Sequence, residues 1–134
     1  MDGLQTRNPI IGKLNGRLLF LQEFLKHPRQ IGSVIPSSRF LERRIVWTAG
    51  IASARVVVEL GPGTGGTTRA LLRAMADDAK LLSIEVNPQF HALVDNIDDE
   101  RLIAHLGNAC ELQQILAQHN LSAPDAVVSG IPFS

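Results

Sequence analysis

The chain has one cysteine, Cys110, no tyrosine, one tryptophan and an aromatic content of only 4%. One cysteine excludes an internal disulfide and a cysteine-built metal site. Cys110 itself reads as a small apolar residue on a helix. No apolar run approaches the roughly 20 residues that span a bilayer. The N-terminus lacks the basic, apolar and small-residue sequence of a cleaved secretory signal. A cytoplasmic location is therefore expected.

What is present is ordinary globular material with an uneven charge distribution. The 134 residues are 45% apolar and 19% charged, enough for one domain with a core of its own. Formal net charge is zero, yet residues 1–50 hold eight Lys/Arg against three acids. The remaining 84 residues hold five against ten. A basic N-terminal part fits an anionic partner, a membrane surface or a nucleic acid. It equally fits a set of solvated helix faces.

Apolar residues Leu14, Leu18, Leu21, Phe24 and Leu25 recur at helical spacing between Lys13 and Lys26. His27-Pro28 breaks that helix. Residues 28–38 read as an ordered loop, and Ser37 or Ser38 caps a second helix that runs to about Gly50. Strands at 55–60, 80–85, 102–106 and 125–130 then alternate with helices at 65–76, 88–96 and 109–119. Asn87-Pro88 serves as cap and first-turn proline of the middle helix. Such alternation predicts an α/β fold with a parallel sheet, right-handed crossovers and helices on both faces. Residues 1–50 form the N-terminal helices and residues 51–134 the sheet core, together one folding unit.

The most informative segment is Arg-Val-Val-Val-Glu-Leu-Gly-Pro-Gly-Thr-Gly at 55–65. A β-branched run followed by a glycine-rich turn into a helix brings bare backbone up to a nucleotide-like ligand. Gly61, Gly63 and Gly65 are too closely spaced for the G-x-G-x-x-G dinucleotide fingerprint. With Glu59 two residues ahead, the pattern instead resembles motif I of the Rossmann-like S-adenosylmethionine-dependent methyltransferases. In that family the acid faces the methionine end of the cofactor and the glycines line it.

Ligands of such sheets sit at the carboxyl ends of the strands, so the other strand ends bear on this reading. Glu85 ends the second strand, where an acid can accept both hydroxyls of a ribose, and Val86 follows it. Gly107-Asn108-Ala109 ends the third. The family has Gly-Asp-Ala there, with the acid near the adenine amine. Asn108 can accept from that amine without the charge and can also cap the following helix, and the two roles are compatible. Ser129-Gly130-Ile131-Pro132-Phe133 ends the fourth and resembles a relaxed form of the Asn/Asp-Pro-Pro-aromatic motif of amine methyltransferases. Phe133 is placed to face a reacting cation.

In order and spacing these four ends resemble the cofactor half of a class I methyltransferase over residues 55–133. Residues 24–38, Phe-Leu-Lys-His-Pro-Arg-Gln-Ile-Gly-Ser-Val-Ile-Pro-Ser-Ser, narrow the resemblance to the small bacterial phospholipid N-methyltransferases, relatives of the rRNA adenine dimethylases. The resemblance implies a cofactor site of Glu59, Gly61, Pro62, Gly63, Thr64, Gly65, Glu85, Val86, Asn108, Ala109 and Ser129, with Gln30, Gly32 and Ser33 in a lid. Ser129 to Phe133 would hold the amine. The implied acceptor is phosphatidylethanolamine at an anionic membrane surface, and no metal is expected.

RNA adenine methylation is a second reading, disfavoured by the few aromatics and by the lack of Asn or Asp in the last motif. A non-catalytic cofactor-binding module is a third. The family has seven strands and the chain ends after the fourth. It is accordingly expected to bind the cofactor, to methylate poorly, and to self-associate through an open strand edge at 125–130.

Overall fold

The computed structural model describes residues 50–130 and the strand at 34–36. The proposed helices at 13–26 and 37–50, the lid residues Gln30, Gly32 and Ser33, and Ile131, Pro132 and Phe133 lie outside the described residues.

Five strands form one sheet. They are β1 (Val34–Pro36), β2 (Val56–Leu60), β3 (Lys80–Glu85), β4 (Leu102–Leu106) and β5 (Ala126–Ser129), in the order β1-β5-β2-β3-β4. Every pairing is parallel. The helices between them are α1 (Gly66–Ala74), α2 (Pro88–Asp95) and α3 (Leu112–Gln118). A 3-10 turn at Ala109–Glu111 precedes α3, so the helix expected over 109–119 starts as a tighter turn.

Two expectations are corrected here. The segment 28–38 is not wholly loop, because Val34–Pro36 is a strand. The edge at 125–130 is not open, because Val34, Ile35 and Pro36 pair with Val127, Val128 and Ser129. Val34 and Ile35 are β-branched strand formers. Pro36 is tolerated because β1 is an edge strand and needs no ladder donor on its outer side. β5 is thus an interior strand, and association through it loses its basis.

All five residues of β2 are buried, and alternation sends them to two cores. Val56, Val58 and Leu60 join Leu82, Ile84 and Val127 against Leu112, Ile115 and Leu116 of α3. Val57 joins Leu81, Ala126 and Val128 against Leu71, Leu72 and Met75, the residues of α1 and its C-cap. The sheet is therefore covered on both faces, as a parallel sheet requires.

Polar groups fix the corners. Arg101 donates to the carbonyls of Leu72, Met75 and Ala76 at the C-terminal end of α1, at 2.8, 3.2 and 3.2 Å. Asp99 orients it through bonds of 3.0 and 2.7 Å. Asp125 accepts from the amides of Arg55 and Val56, tying the starts of β5 and β2 together. α3 ends on Asn120, whose φ of 56° places it in the left-handed cap position. Leu121 then donates back to the Leu116 carbonyl at 2.9 Å. Cys110, expected on a helix as an apolar residue, is instead exposed on the turn before α3.

Candidate functional site

Because the strands are parallel, their carboxyl ends lie on one side of the sheet, and a glycine follows three of them. Gly61 donates to the Ile84 carbonyl at 2.9 Å, Gly107 to that of Glu85 at 2.9 Å, and Gly130 to that of Leu60 at 2.7 Å. Each glycine lies one residue beyond its strand and carries the ladder one rung further. The result is a floor built from main chain.

Above that floor the loop 61–65 turns sharply. Gly61, Gly63 and Gly65 have φ of 70°, 60° and 96°, in the left-handed region that favours glycine. A β-carbon on Gly63 would meet no atom of the described residues within 4 Å. The loop therefore presents open space at its apex, where a ligand can approach bare backbone. Gly65 is the N-cap of α1 and, having no side chain, supplies no capping bond to the first turn. Thr64 is exposed and Pro62 buried.

Two acids flank the loop from below. Glu85 Oε1 accepts the Gly63 amide at 3.1 Å, and Oε2 accepts the Asn87 amide at 3.1 Å. Glu85 thereby fixes the apex of the loop, and each oxygen keeps a lone pair for another donor. Glu59 is fully buried. Its Oε1 accepts from Thr68 Oγ1 of α1 at 2.5 Å and from Ser83 Oγ of β3 at 2.7 Å. Its Oε2 has no hydrogen-bond partner among the described residues. Burial raises the Glu59 carboxyl from its ordinary 4.5 to about 6, against the lowering effect of the two hydroxyls. The charge of Glu85 raises it further.

The remaining residues divide. Val86 follows Glu85 and is 46% exposed. Leu106, in register with Glu85 on β4, is 48% exposed. These two exposed apolar residues lie at the carboxyl ends of the neighbouring strands β3 and β4. Asn108 accepts the Cys110 amide at 2.9 Å and caps the turn 109–111, so its side chain has the capping role. Ala109 is buried in the core under α3. Ser129 is buried at the end of β5, and Gly130 lies against Gly61.

Sequence reasoning missed Thr68 and Ser83. Thr68 read as part of a helix opening, whereas its hydroxyl turns inward. Ser83 carried a signal, since it is the one uncharged polar residue in the strand Lys-Leu-Leu-Ser-Ile-Glu and pairs in register with Glu59. Among the described residues no three or more His, Cys, Asp and Glu side chains are grouped to hold a metal ion. No described helix is long and apolar enough to cross a membrane.

Known proteins resemble this chain in sequence and in fold, although no family model matches it. An ornithine lipid N-methyltransferase from Singulisphaera acidiphila is 38% identical over 116 residues, covering 85% of this chain and 60% of that protein. A ribosomal RNA small subunit methyltransferase A from Rhodococcus erythropolis is 26% identical over 146 aligned positions, covering 99% of this chain and 48% of that protein. The chain thus spans about half to three-fifths of the length of these relatives. Among solved structures, the O-methyltransferase TomG from Streptomyces achromogenes, in complex with SAM, superposes with a TM-score of 0.55. It is 22% identical, over 66% of this chain and 42% of that one. That likeness shows the fold.

Proposed function

We propose that this chain, a relative by sequence and fold of the class I S-adenosylmethionine-dependent methyltransferases, binds S-adenosylmethionine on its glycine floor and serves methyl transfer to a lipid amine. The observation that carries the reading is the Gly63–Glu85 contact with open space above the glycine. An acid pinned to the apex of a bare loop suits a ribose. The buried Oε2 of Glu59, without a hydrogen-bond partner among the described residues, fits a cationic ligand.

When bound, the cofactor supplies a methyl group on a sulfonium, ready for displacement by a neutral amine. The chain's own residues hold and orient. Gly61, Gly63 and Gly65 offer close approach, Glu85 takes the ribose hydroxyls, and Val86 and Leu106 flank the base. Ser129 and Gly130 end β5, where the resemblance puts the incoming amine. Orientation and exclusion of water account for most of the rate gain expected of such a site.

The lipid acceptor is favoured by the 38% identity to a protein named for ornithine lipid N-methylation. Phosphatidylethanolamine presents the same kind of amine, and the basic N-terminal part suits an anionic membrane surface. RNA is the second reading, favoured by the relative named for ribosomal RNA methylation that aligns with nearly the whole chain.

Calorimetry with S-adenosylhomocysteine tests the cofactor site, and saturable one-to-one binding is expected. A transfer assay with labelled methyl donor tests the acceptor. Label is expected in vesicles carrying ornithine lipid or phosphatidylethanolamine. Label in RNA alone would overturn the lipid reading.

A further inference from the structure

His105 joins the end of β4 to the end of α3. It stands in register with Ile84, a member of the core cluster under α3, so its ring lies on the α3 face of the sheet. Its Nδ1 is 3.0 Å from Nε2 of His119, the C-cap of α3. The ring centroids are 5.2 Å apart and the planes cross at 89°. Another edge of the same ring rests on Gly107, where a β-carbon would stand 2.9 Å from His105 Cδ2 and 3.0 Å from Nε2. Gly107 carries the ladder on to the Glu85 carbonyl, and Asn108 after it caps the turn 109–111. One imidazole is thus wedged between the end of a helix and the turn that follows β4.

We propose that His105 and His119 are positioning residues that brace the Gly107–Asn108 turn for the donor, and that acid releases the brace. The inference rests on the donor-binding reading above, in which Leu106, the residue before Gly107, flanks the base. A nitrogen-to-nitrogen hydrogen bond needs one N–H and one lone pair. The neutral pair has both, and so does the pair with one added proton. With a second proton every ring nitrogen is a donor, the bond is lost, and two like charges face each other. Desolvation, then the nearby His119 and His91, holds the His105 imidazole below its ordinary 6.5, against the opposing charge of Glu111. Those groups come from the cap of α3, from α2 and from the turn 109–111, while β3 sets apolar Ile84 beside the ring. The folded chain therefore binds this proton less tightly than the unfolded one. The brace is complete above about pH 6.5 and is lost as pH falls through the lower folded value.

The test is calorimetry with S-adenosylhomocysteine from pH 5 to 8 on wild type, His119→Gln and His119→Ala. Wild type is expected to lose affinity in acid, about fivefold of it through this pair, the worth of one hydrogen bond. Glutamine can share a hydrogen bond with His105 but takes up no proton. His119→Gln should therefore match wild type at pH 8 and lose less in acid. His119→Ala should already bind about fivefold more weakly at pH 8. Glu59 also titrates near pH 6, but it is common to all three proteins, so the difference between their profiles belongs to the pair. Protection of the Gly107 amide against hydrogen exchange is a second readout that needs no ligand. It should fall in acid in wild type and hold in His119→Gln.

Superimposable binding profiles for wild type and His119→Gln overturn the proposal and leave donor binding intact. Wild type that binds no S-adenosylhomocysteine at any pH overturns the donor reading itself, and the brace then stands or falls on the protection of Gly107.

Discussion

Gly130 packs against the carbonyl of Gly61 so closely that a β-carbon there would stand 2.5 Å from the oxygen. The obstacle is main chain, which cannot swing aside. Gly130→Ala is therefore expected to force the end of β5 away from the loop and to cost about 1–3 kcal/mol. Urea unfolding measures the loss of stability. Calorimetry with S-adenosylhomocysteine should show a parallel loss of binding, because the moved carbonyl belongs to the loop itself.

Gly63→Ala separates strain from obstruction. Its φ of 60° makes a residue with a β-carbon cost about 1–2 kcal/mol, while no atom of the described residues stands within 4 Å of the new methyl. A modest drop in melting temperature with a much larger loss of cofactor affinity is expected. Equal affinity in the variant would show that no ligand approaches this glycine.

Glu59 governs a pH dependence of stability with an unusual sign. Its folded value of about 6 lies above its ordinary 4.5, so the folded chain holds the proton more tightly. Stability is then highest below about pH 4.5 with respect to this group. It falls as pH rises toward 6 and is constant above, a change of about 2 kcal/mol. Glu59→Gln should lack that fall and be at least as stable as wild type at pH 7. Denaturant titrations at four pH values would measure it.

Asp99 has the opposite sign. Its bonds to Arg101 hold its carboxyl down to about 2 from 3.8. Its contribution is present above about pH 3.8 and is lost as pH falls through about 2. Asp99→Asn should be less stable than wild type at neutral pH, with the difference closing in acid. Arg101→Ala should cost more, since three carbonyls at the end of α1 lose their donor.

The sequence showed the fold most clearly where local pattern and tertiary role agree. Strands β3 and β4 fall at the residues expected, because apolar β-formers are bounded there by turn residues. The three loop glycines were legible as a tight turn from their spacing, and all three take positive φ, while Glu59 and Glu85 were singled out through the resemblance. β1 was not, since a three-residue strand ending in proline has no periodicity and forms only because β5 offers it a ladder. Thr68 and Ser83 escaped notice for a related reason. Their hydroxyls gain meaning from a carboxylate 9 and 24 residues away. Asn108 was ambiguous in the sequence, and in the fold its oxygen caps a turn.

The place of β5 between β1 and β2 has a consequence for how the chain acquires its shape. β5 is an inner strand of the described sheet, and its partners lie about 70 and 90 residues upstream. During synthesis β1 cannot pair with β5, and the flank of β2 that β5 covers stays unpaired by it, until β5 emerges. Folding must therefore close long loops before the sheet becomes continuous, which slows it relative to proteins with local contacts. Until then, the flank that β5 will cover is the site most vulnerable to chaperone capture or mispairing.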